Sequence, residues 1–227
     1  MNSTAVATPA STAPPAAPEF ALHRGRGRFN AAFFRVLGPT IERSLREKKL
    51  RVFGGRERDV VELGPGVGAN LGYLPAGAKL IAIEPNVYMH GGLRSAARAH
   101  GIELDLRETT AENTGLPDSS VDSVMSSLVL CTVTDPDAVL AEVRRILRPG
   151  GTFRFVEHVV ADEGTRTRSA QRHLRRPWAW VFEGCSCERD LEKAIRTAGF
   201  RDVNVERFRI STPFVPFNTQ IAGTAQA

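Results

Sequence analysis

The stretch Val60-Val61-Glu62-Leu63-Gly64-Pro65-Gly66-Val67-Gly68-Ala69-Asn70 constrains this chain more than any other. Its β-branched and aliphatic start reads as a buried strand, and the strand ends in a turn with glycine at every second position. Such a turn leaves no side chain between the main chain and a ligand, and the helix N-terminus that follows favours binding there. By spacing, Gly64, Gly66 and Ala69 also satisfy the dinucleotide fingerprint, so the glycines leave NAD and other adenosine-containing cofactors equally open. The next strand ends at Glu84, twenty residues after Gly64, where a carboxylate can accept hydrogen bonds from both hydroxyls of a ribose. That feature suits either ligand.

The rest of the chain repeats the unit. DVVEL (59–63), KLIAIE (79–84), ELDLRE (103–108), VDSVMSS (121–127) and TFRFVEH (152–158) read as strands. Between them fall a short helix after Gly68, a helix from Pro85 to His100, a connecting segment around 111–118 and an amphipathic helix from Pro136 to Leu147. Strand alternating with helix predicts right-handed crossovers on a parallel sheet. DVNVERFRI (202–210) and TQIAGTAQ (219–226) follow a helix at 189–198 with no helix between them, so they are expected to pair antiparallel at the sheet edge. The fold class is therefore α/β, a Rossmann-like seven-stranded, mostly parallel sheet with an antiparallel edge strand, preceded by an N-terminal helical cap.

That cap is read over residues 19–57. Phe29, Ala32, Phe33, Val36 and Leu37 recur at helical spacing, and Ile41, Leu45 and Leu50 continue beyond Gly38-Pro39, which should kink or break the helix, giving one amphipathic segment in two pieces. The same segment concentrates the charge. Residues 24–58 hold 11 Lys or Arg against 3 Glu, leaving the other 192 residues with 19 basic against 22 acidic. The net +5 is thus local, and the main domain has no electrostatic footprint for nucleic acid. A basic helix with Phe and Leu on one face either caps the domain or makes peripheral contact with an anionic membrane surface through residues 20–57. The first eighteen residues, rich in Ala, Pro, Thr and Ser and without charge, read as a disordered tail rather than a secretory signal. No apolar run is long enough to span a bilayer, and three cysteines are too few for a disulfide framework, so the expected compartment is the cytoplasm, with free thiols.

Four ordered motifs carry a family resemblance: ELGPGVG, then IEPNVYM, TAENTGLPDSSVDSV, and EVRRILRPGG ahead of FRFVEH. Together they resemble a class I S-adenosylmethionine-dependent methyltransferase, over about residues 58–227. The resemblance implies S-adenosylmethionine as cofactor, an enzyme, and a small-molecule substrate. It implies that Gly64, Gly66 and Gly68 let the backbone approach the methionine and ribose, with Glu62 near the ammonium group. Glu84 would hold the ribose, Pro85 and Met89 would lie against adenine, and Thr110, Ala111 and Glu112 stand where the family contacts the adenine ring. Thr110 replaces an Asp that many relatives carry there. Ser127 and Leu128 would face the sulfonium and the methionine carboxylate, and the Arg148-Pro149-Gly150-Gly151 turn would be structural. No Asn/Asp-Pro-Pro-aromatic motif follows the fourth strand, which argues against a nucleic-acid amino-methyltransferase.

A narrower resemblance comes from SSLVLCTV (126–133), FVEHV (155–159), WVFEGCSCERD (180–190) and RFNAAFFRVLGPTIERSLRE at the front. These look like a bacterial branch of the subgroup that contains the animal membrane-associated thiol S-methyltransferases, here without a long apolar N-terminal anchor. The implied chemistry is direct displacement on the methyl group, favouring a small apolar thiol as acceptor. His158, at the carboxyl end of the fifth strand, is the candidate base, with Glu157 to orient it or contact substrate. Cys131, Cys185 and Cys187 are expected to line or underlie the pocket, and no metal is expected, because a Cys-x-Cys pair lacks the usual spacing of paired zinc ligands. Trp178, Trp180 and Phe182 form either an apolar lid over substrate or hydrophobic core.

Overall fold

Val60, Val61 and Leu63 are buried on both faces of their strand, as a central parallel strand requires. The computed structural model describes residues 24–55 and 57–227. The tail read over 1–18 and the start of the cap lie outside the described residues. Helix α1 (Arg24–Phe53) precedes β1 (Asp59–Leu63), β2 (Lys79–Ile83), α2 (Val87–His100), β3 (Glu103–Arg107) and β4 (Val121–Ser127). Then come α3 (Pro136–Ile146), β5 (Leu147–His158), α4 (Arg166–Val181), α5 (Leu191–Thr197), β6 (Arg201–Arg209) and β7 (Thr219–Gln226). The expected short helix after Gly68 is a single 3-10 turn, Leu71–Tyr73, and a second such turn, Val215–Phe217, precedes β7.

The seven strands run in the order β3-β2-β1-β4-β5-β7-β6. Pairings from β3 through β5 are parallel, whereas β7 lies antiparallel to both β5 and β6. The strand order reverses between β1 and β4, and open α/β sheets bind ligands at the carboxyl ends of the strands at that switch. Local sequence sets the helices around it. Asn86 caps α2 by accepting from the Tyr88 N–H, and Gly101 closes the helix in the left-handed conformation. Asp135 caps α3 by accepting from the Asp137 and Ala138 N–H groups, with Pro136 at the first helical position. One core gathers around Phe153 and Phe155 against α3 and α5. The other joins Leu45 and Phe53 of α1 to Leu80 and Leu93.

Helix α1 is one piece and not two, with Pro39 in its interior. An interior proline costs about 3 kcal/mol of local helix stability, so anchoring on both sides must hold the helix through it. Before Pro39, the Asn30 amide donates to the Val181 carbonyl at 3.1 Å. After it, Ile41, Leu45 and Phe53 are buried. The apolar stripe is only partly covered, since Val36 remains 72% exposed and Phe29 49%. Among the described residues, no helix is long and apolar enough to cross a membrane.

Candidate active site

The turn after β1 places three glycines differently. A Cβ on Gly66, whose φ is +58°, would meet only the Met89 sulfur at 3.3 Å, because the position opens into a pocket at the carboxyl ends of the strands. A Cβ on Gly68 would instead lie 2.8 Å from Ala96 of α2. Gly68 is therefore a packing glycine outside the pocket lining, which corrects its reading as a point of close approach to a ligand. Gly64 does line the pocket, backed by Val129.

Glu84 is buried at the end of β2, and its two carboxylate oxygens accept from the Gly66 N–H at 2.9 Å and the Asn86 N–H at 2.8 Å. Burial pushes its carboxyl above the usual range, and these two bonds oppose that shift. Each oxygen keeps a lone pair for a further donor. Glu62 lies beneath the same turn, fully buried. One of its oxygens accepts from the Asn70 amide at 2.6 Å while the other has no partner. Desolvation raises its carboxyl to about 7. Asn70 is tied in turn to α1, since the Lys49 ammonium donates to its carbonyl at 2.8 Å and to Glu42 at 2.6 Å.

Pro85, Met89, Thr110 and Ala111 line the same pocket. The buried Thr110 and Ser127 hydroxyls have no partner among the described residues, an arrangement that favours a ligand able to satisfy them. Leu128 sits at φ +62°, with its N–H donating to the Val156 carbonyl at 3.0 Å. A branched residue is strained in that region, and such strain concentrates at functional sites. Glu112 reaches the lining, but its carboxylate accepts from the Thr134 N–H at 3.0 Å, so it braces the loop before α3 rather than pointing at a ligand.

Beyond Leu128 the walls become aromatic and sulfur-rich. Phe33 of α1 packs edge-on against Phe182 at 5.1 Å between ring centroids, and Trp178 lies 4.5 Å from Phe182. Phe214 and Phe217, from the turn before β7, complete this end. The floor consists of Cys131, His158 and Cys185. His158 Nε2 is 2.9 Å from the Cys185 sulfur, which is 3.5 Å from the Cys131 sulfur. Burial pushes the Cys131 thiol well above its ordinary value.

Other expected members lie elsewhere. Glu157 does not line the pocket. It accepts from the Ser126 hydroxyl and the Val129 N–H below the loop after β4, which corrects its reading as a group touching substrate. Trp180 is 62% exposed with Arg26 over its ring, so of the three insert aromatics only Trp178 and Phe182 reach the pocket. The Cys187 sulfur faces the Gln171 carbonyl instead. Glu183, Asn86 and Phe33 were not singled out from the sequence. Asn86 donates to Glu183 at 2.9 Å beside Glu84, and burial raises the Glu183 carboxyl to about 7. All three fall inside stretches that carry the family resemblance, IEPNVYM, WVFEGCSCERD and RFNAAFFRVLGPTIERSLRE, and Asn86 has the N-cap pattern besides.

Residues 61–155 match the family model described as a methyltransferase domain. The chain is 33% identical to the human thiol S-methyltransferase TMT1B over 202 residues, covering 84% of this chain and 82% of that protein. This chain is an S-adenosylmethionine-dependent methyltransferase. The nicotinamide reading of its glycine turn is accordingly set aside. In fold, the methyltransferase is similar to a SAM-dependent methyltransferase from Thermotoga maritima, with a TM-score of 0.61 at 21% identity over 88% of this chain and 96% of the other. It is likewise similar to phosphoethanolamine N-methyltransferase 2 from Haemonchus contortus in complex with S-adenosyl-L-methionine, with a TM-score of 0.58 at 13% identity over 79% and 52% of the two chains. The methyltransferase's own residues fit that cofactor. Among the described residues, the unpartnered hydroxyls of Thr110 and Ser127 and the open face of Gly66 leave polar atoms and space in the pocket for an adenosyl ligand.

Proposed function

We propose that the methyltransferase methylates a small, apolar thiol by direct displacement. The observation that carries this reading is the composition of the acceptor end: aromatic walls from Phe33, Trp178, Phe182, Phe214 and Phe217 over a floor of two thiols and an imidazole. Such a surface suits a greasy nucleophile and offers little to a sugar or nucleotide. Similarity to a thiol S-methyltransferase supports the same class.

In this reading Glu84 holds the ribose hydroxyls with its free lone pairs, and Glu62, steadied by Asn70, faces the ammonium group. Pro85, Met89, Thr110 and Ala111 flank adenine, while Ser127 and Leu128 adjoin the methionine end. Bound S-adenosylmethionine supplies a methyl group on a positively charged sulfur. The aromatic walls exclude water and align the acceptor behind that methyl, and alignment accounts for much of the acceleration in such a displacement. His158 assists ionisation of the acceptor thiol, which at a pKa of about 8.5 is only partly ionised near neutrality. Glu157 positions the loop carrying Leu128 and Val129. Helix α1 acts as a cap, its Lys49 coupling it to the cofactor side and its Phe33 to the acceptor side. Its exposed Phe29, Val36 and Leu50, flanked by arginines, fit peripheral contact with an anionic lipid surface, which sedimentation with acidic vesicles tests.

Labelled methyl transfer to a panel of alkyl and aryl thiols, amines, phenols and carboxylates tests the acceptor. Thiols are expected to be methylated, the apolar ones fastest. Transfer to amines or phenols alone would discard the thiol and leave the methyltransferase standing.

A further inference from the structure

Cys131 follows β4, His158 ends β5 and Cys185 follows α4, yet their sulfurs and a ring nitrogen all lie within 4.8 Å of one another. All three are buried. We propose that they form a three-ligand zinc site at the floor of the acceptor pocket, with the fourth position open to the substrate thiol. The proposal rests on the methyl-transfer reading above and says how that site ionises its acceptor.

The donor set is the first argument. Two sulfurs and an imidazole suit zinc and disfavour magnesium or calcium, and three protein ligands with an open position mark a catalytic rather than a structural zinc. The distances are the second. With Zn–S about 2.3 Å and Zn–N about 2.0 Å, a tetrahedral site needs sulfurs about 3.8 Å apart and a nitrogen about 3.5 Å from each. The sulfurs stand at 3.5 Å, and the nearer sulfur–nitrogen pair at 2.9 Å. The sulfurs would have to open by about 0.3 Å and that sulfur–nitrogen pair by about 0.6 Å, with the third pair already within 4.8 Å. The surroundings are the third argument. The Trp178 indole N–H donates to the Cys185 sulfur at 3.3 Å, the kind of outer bond that steadies a metal-bound thiolate. A dication at that place would be balanced by both cysteines as thiolates.

The site completes the chemistry that the pocket needs. Zinc binding an acceptor R–SH releases its proton to bulk solvent and holds the sulfur as thiolate at neutral pH. That sulfur's lone pair forms the new S–CH3 bond while the CH3–S bond of the cofactor breaks. The bonding pair of the broken bond stays on the cofactor's sulfur, which becomes neutral. The product thioether, a weak ligand, then leaves. His158 assists ionisation as a ligand of the metal. With two thiolates and the substrate thiolate on a dication, the net charge of −1 faces the cationic sulfonium.

The test uses the full chain, purified with a non-thiol reductant and equilibrated with free zinc. Elemental analysis is expected to find about one zinc per chain in the wild type and in Cys187→Ser. Folded Cys131→Ser and Cys185→Ser, checked by circular dichroism, should bind it at least about tenfold more weakly. Cobalt substitution gives a readout apart from activity: a sulfur-to-cobalt charge-transfer band that grows when an alkanethiol is added. Chelator-treated protein should keep its affinity for S-adenosylhomocysteine but lose thiol methylation about tenfold or more at pH 7, where a free thiol is only about 3% ionised, and regain it with zinc. Full-rate thiol methylation by the metal-free chain, or undiminished zinc in the two cysteine variants, overturns the site. Zinc held by all three residues without methylation of any thiol overturns the acceptor reading instead, and with it the catalytic role given to the metal.

Discussion

The two ends of the pocket are built in different ways. The end proposed for the cofactor comes from neighbouring strand ends: the turn after β1, Glu84 after β2, Thr110 after β3 and Ser127 at the end of β4 stand side by side because the strands do. The acceptor end is assembled from segments that the chain brings together over long distances, α1, the Trp178–Cys185 stretch and the turn at 214–217, against His158. Hydrogen bonds to backbone dominate the first, aromatic contact and sulfur the second. A scaffold of parallel strands can thus keep one cofactor while the acceptor end is rebuilt by whatever elements cover it.

If the halves are separate, damage to one should leave the other's ligand alone. The largest effect is expected from His158→Ala, which should lower thiol methylation by about 10²- to 10⁴-fold at neutral pH without changing cofactor affinity. The loss should shrink as pH rises past the acceptor pKa of about 8.5, where thiolate forms unaided. A pH-independent loss in a rate profile would make His158 structural. Gly66→Val should act on the other half only, weakening S-adenosylhomocysteine binding in calorimetry by about 100-fold, roughly 2.7 kcal/mol. It places a branched side chain in the ligand's space at a positive φ that itself costs about 1 to 2 kcal/mol. Unchanged affinity in the folded variant would remove the glycine turn from the cofactor site.

The smallest effect sharpens the comparison within the cofactor end. The Glu62 carboxyl is raised from 4.5 to about 7 by burial, so its contribution to the stability of the free protein is full below pH 4.5 and lost as pH rises through about 7. An ammonium ligand selects the ionised form. Cofactor affinity should therefore climb about fivefold between pH 6 and 7, following the ionised fraction. Glu62→Gln should abolish that slope in calorimetry and raise the melting temperature of the free protein at pH 8. A slope that survives the substitution would place the ammonium elsewhere.

How far the site was legible follows the same division. Gly66 and Glu84, expected from the strand ends, and Met89, Ala111 and Leu128, expected from the resemblance, all line the pocket, because in a parallel sheet the end of a strand is also an address in space. Gly68 and Glu112 kept their places in the motif but not the expected roles, since α2 packs onto one and the loop before α3 draws in the other. Glu183 and Phe33 lie inside stretches that carry the resemblance, yet nothing local assigns them a role, because each matters only through what folds against it. The helix break expected at Pro39 failed for a related reason. Local propensity opposes the helix there, and contacts on both sides of the proline outweigh it.

Strand–helix alternation and the glycine spacing, both periodic and local, are enough to determine a mostly parallel sheet and the loop after β1 as a ligand-facing turn, while the strand order and its switch point came from the tertiary structure. The meeting of Cys131 with Cys185, 54 residues apart, was decided only by the tertiary structure. The adjacent Cys185 and Cys187 drew attention as a pair in the sequence, yet their sulfurs separate, one to the pocket floor and one to Gln171. Spacing along the chain reports which residues share a turn. Which side chains share a buried volume depends on how the β4 loop, the end of β5 and the turn after α4 pack together, and that packing is a property of the whole fold.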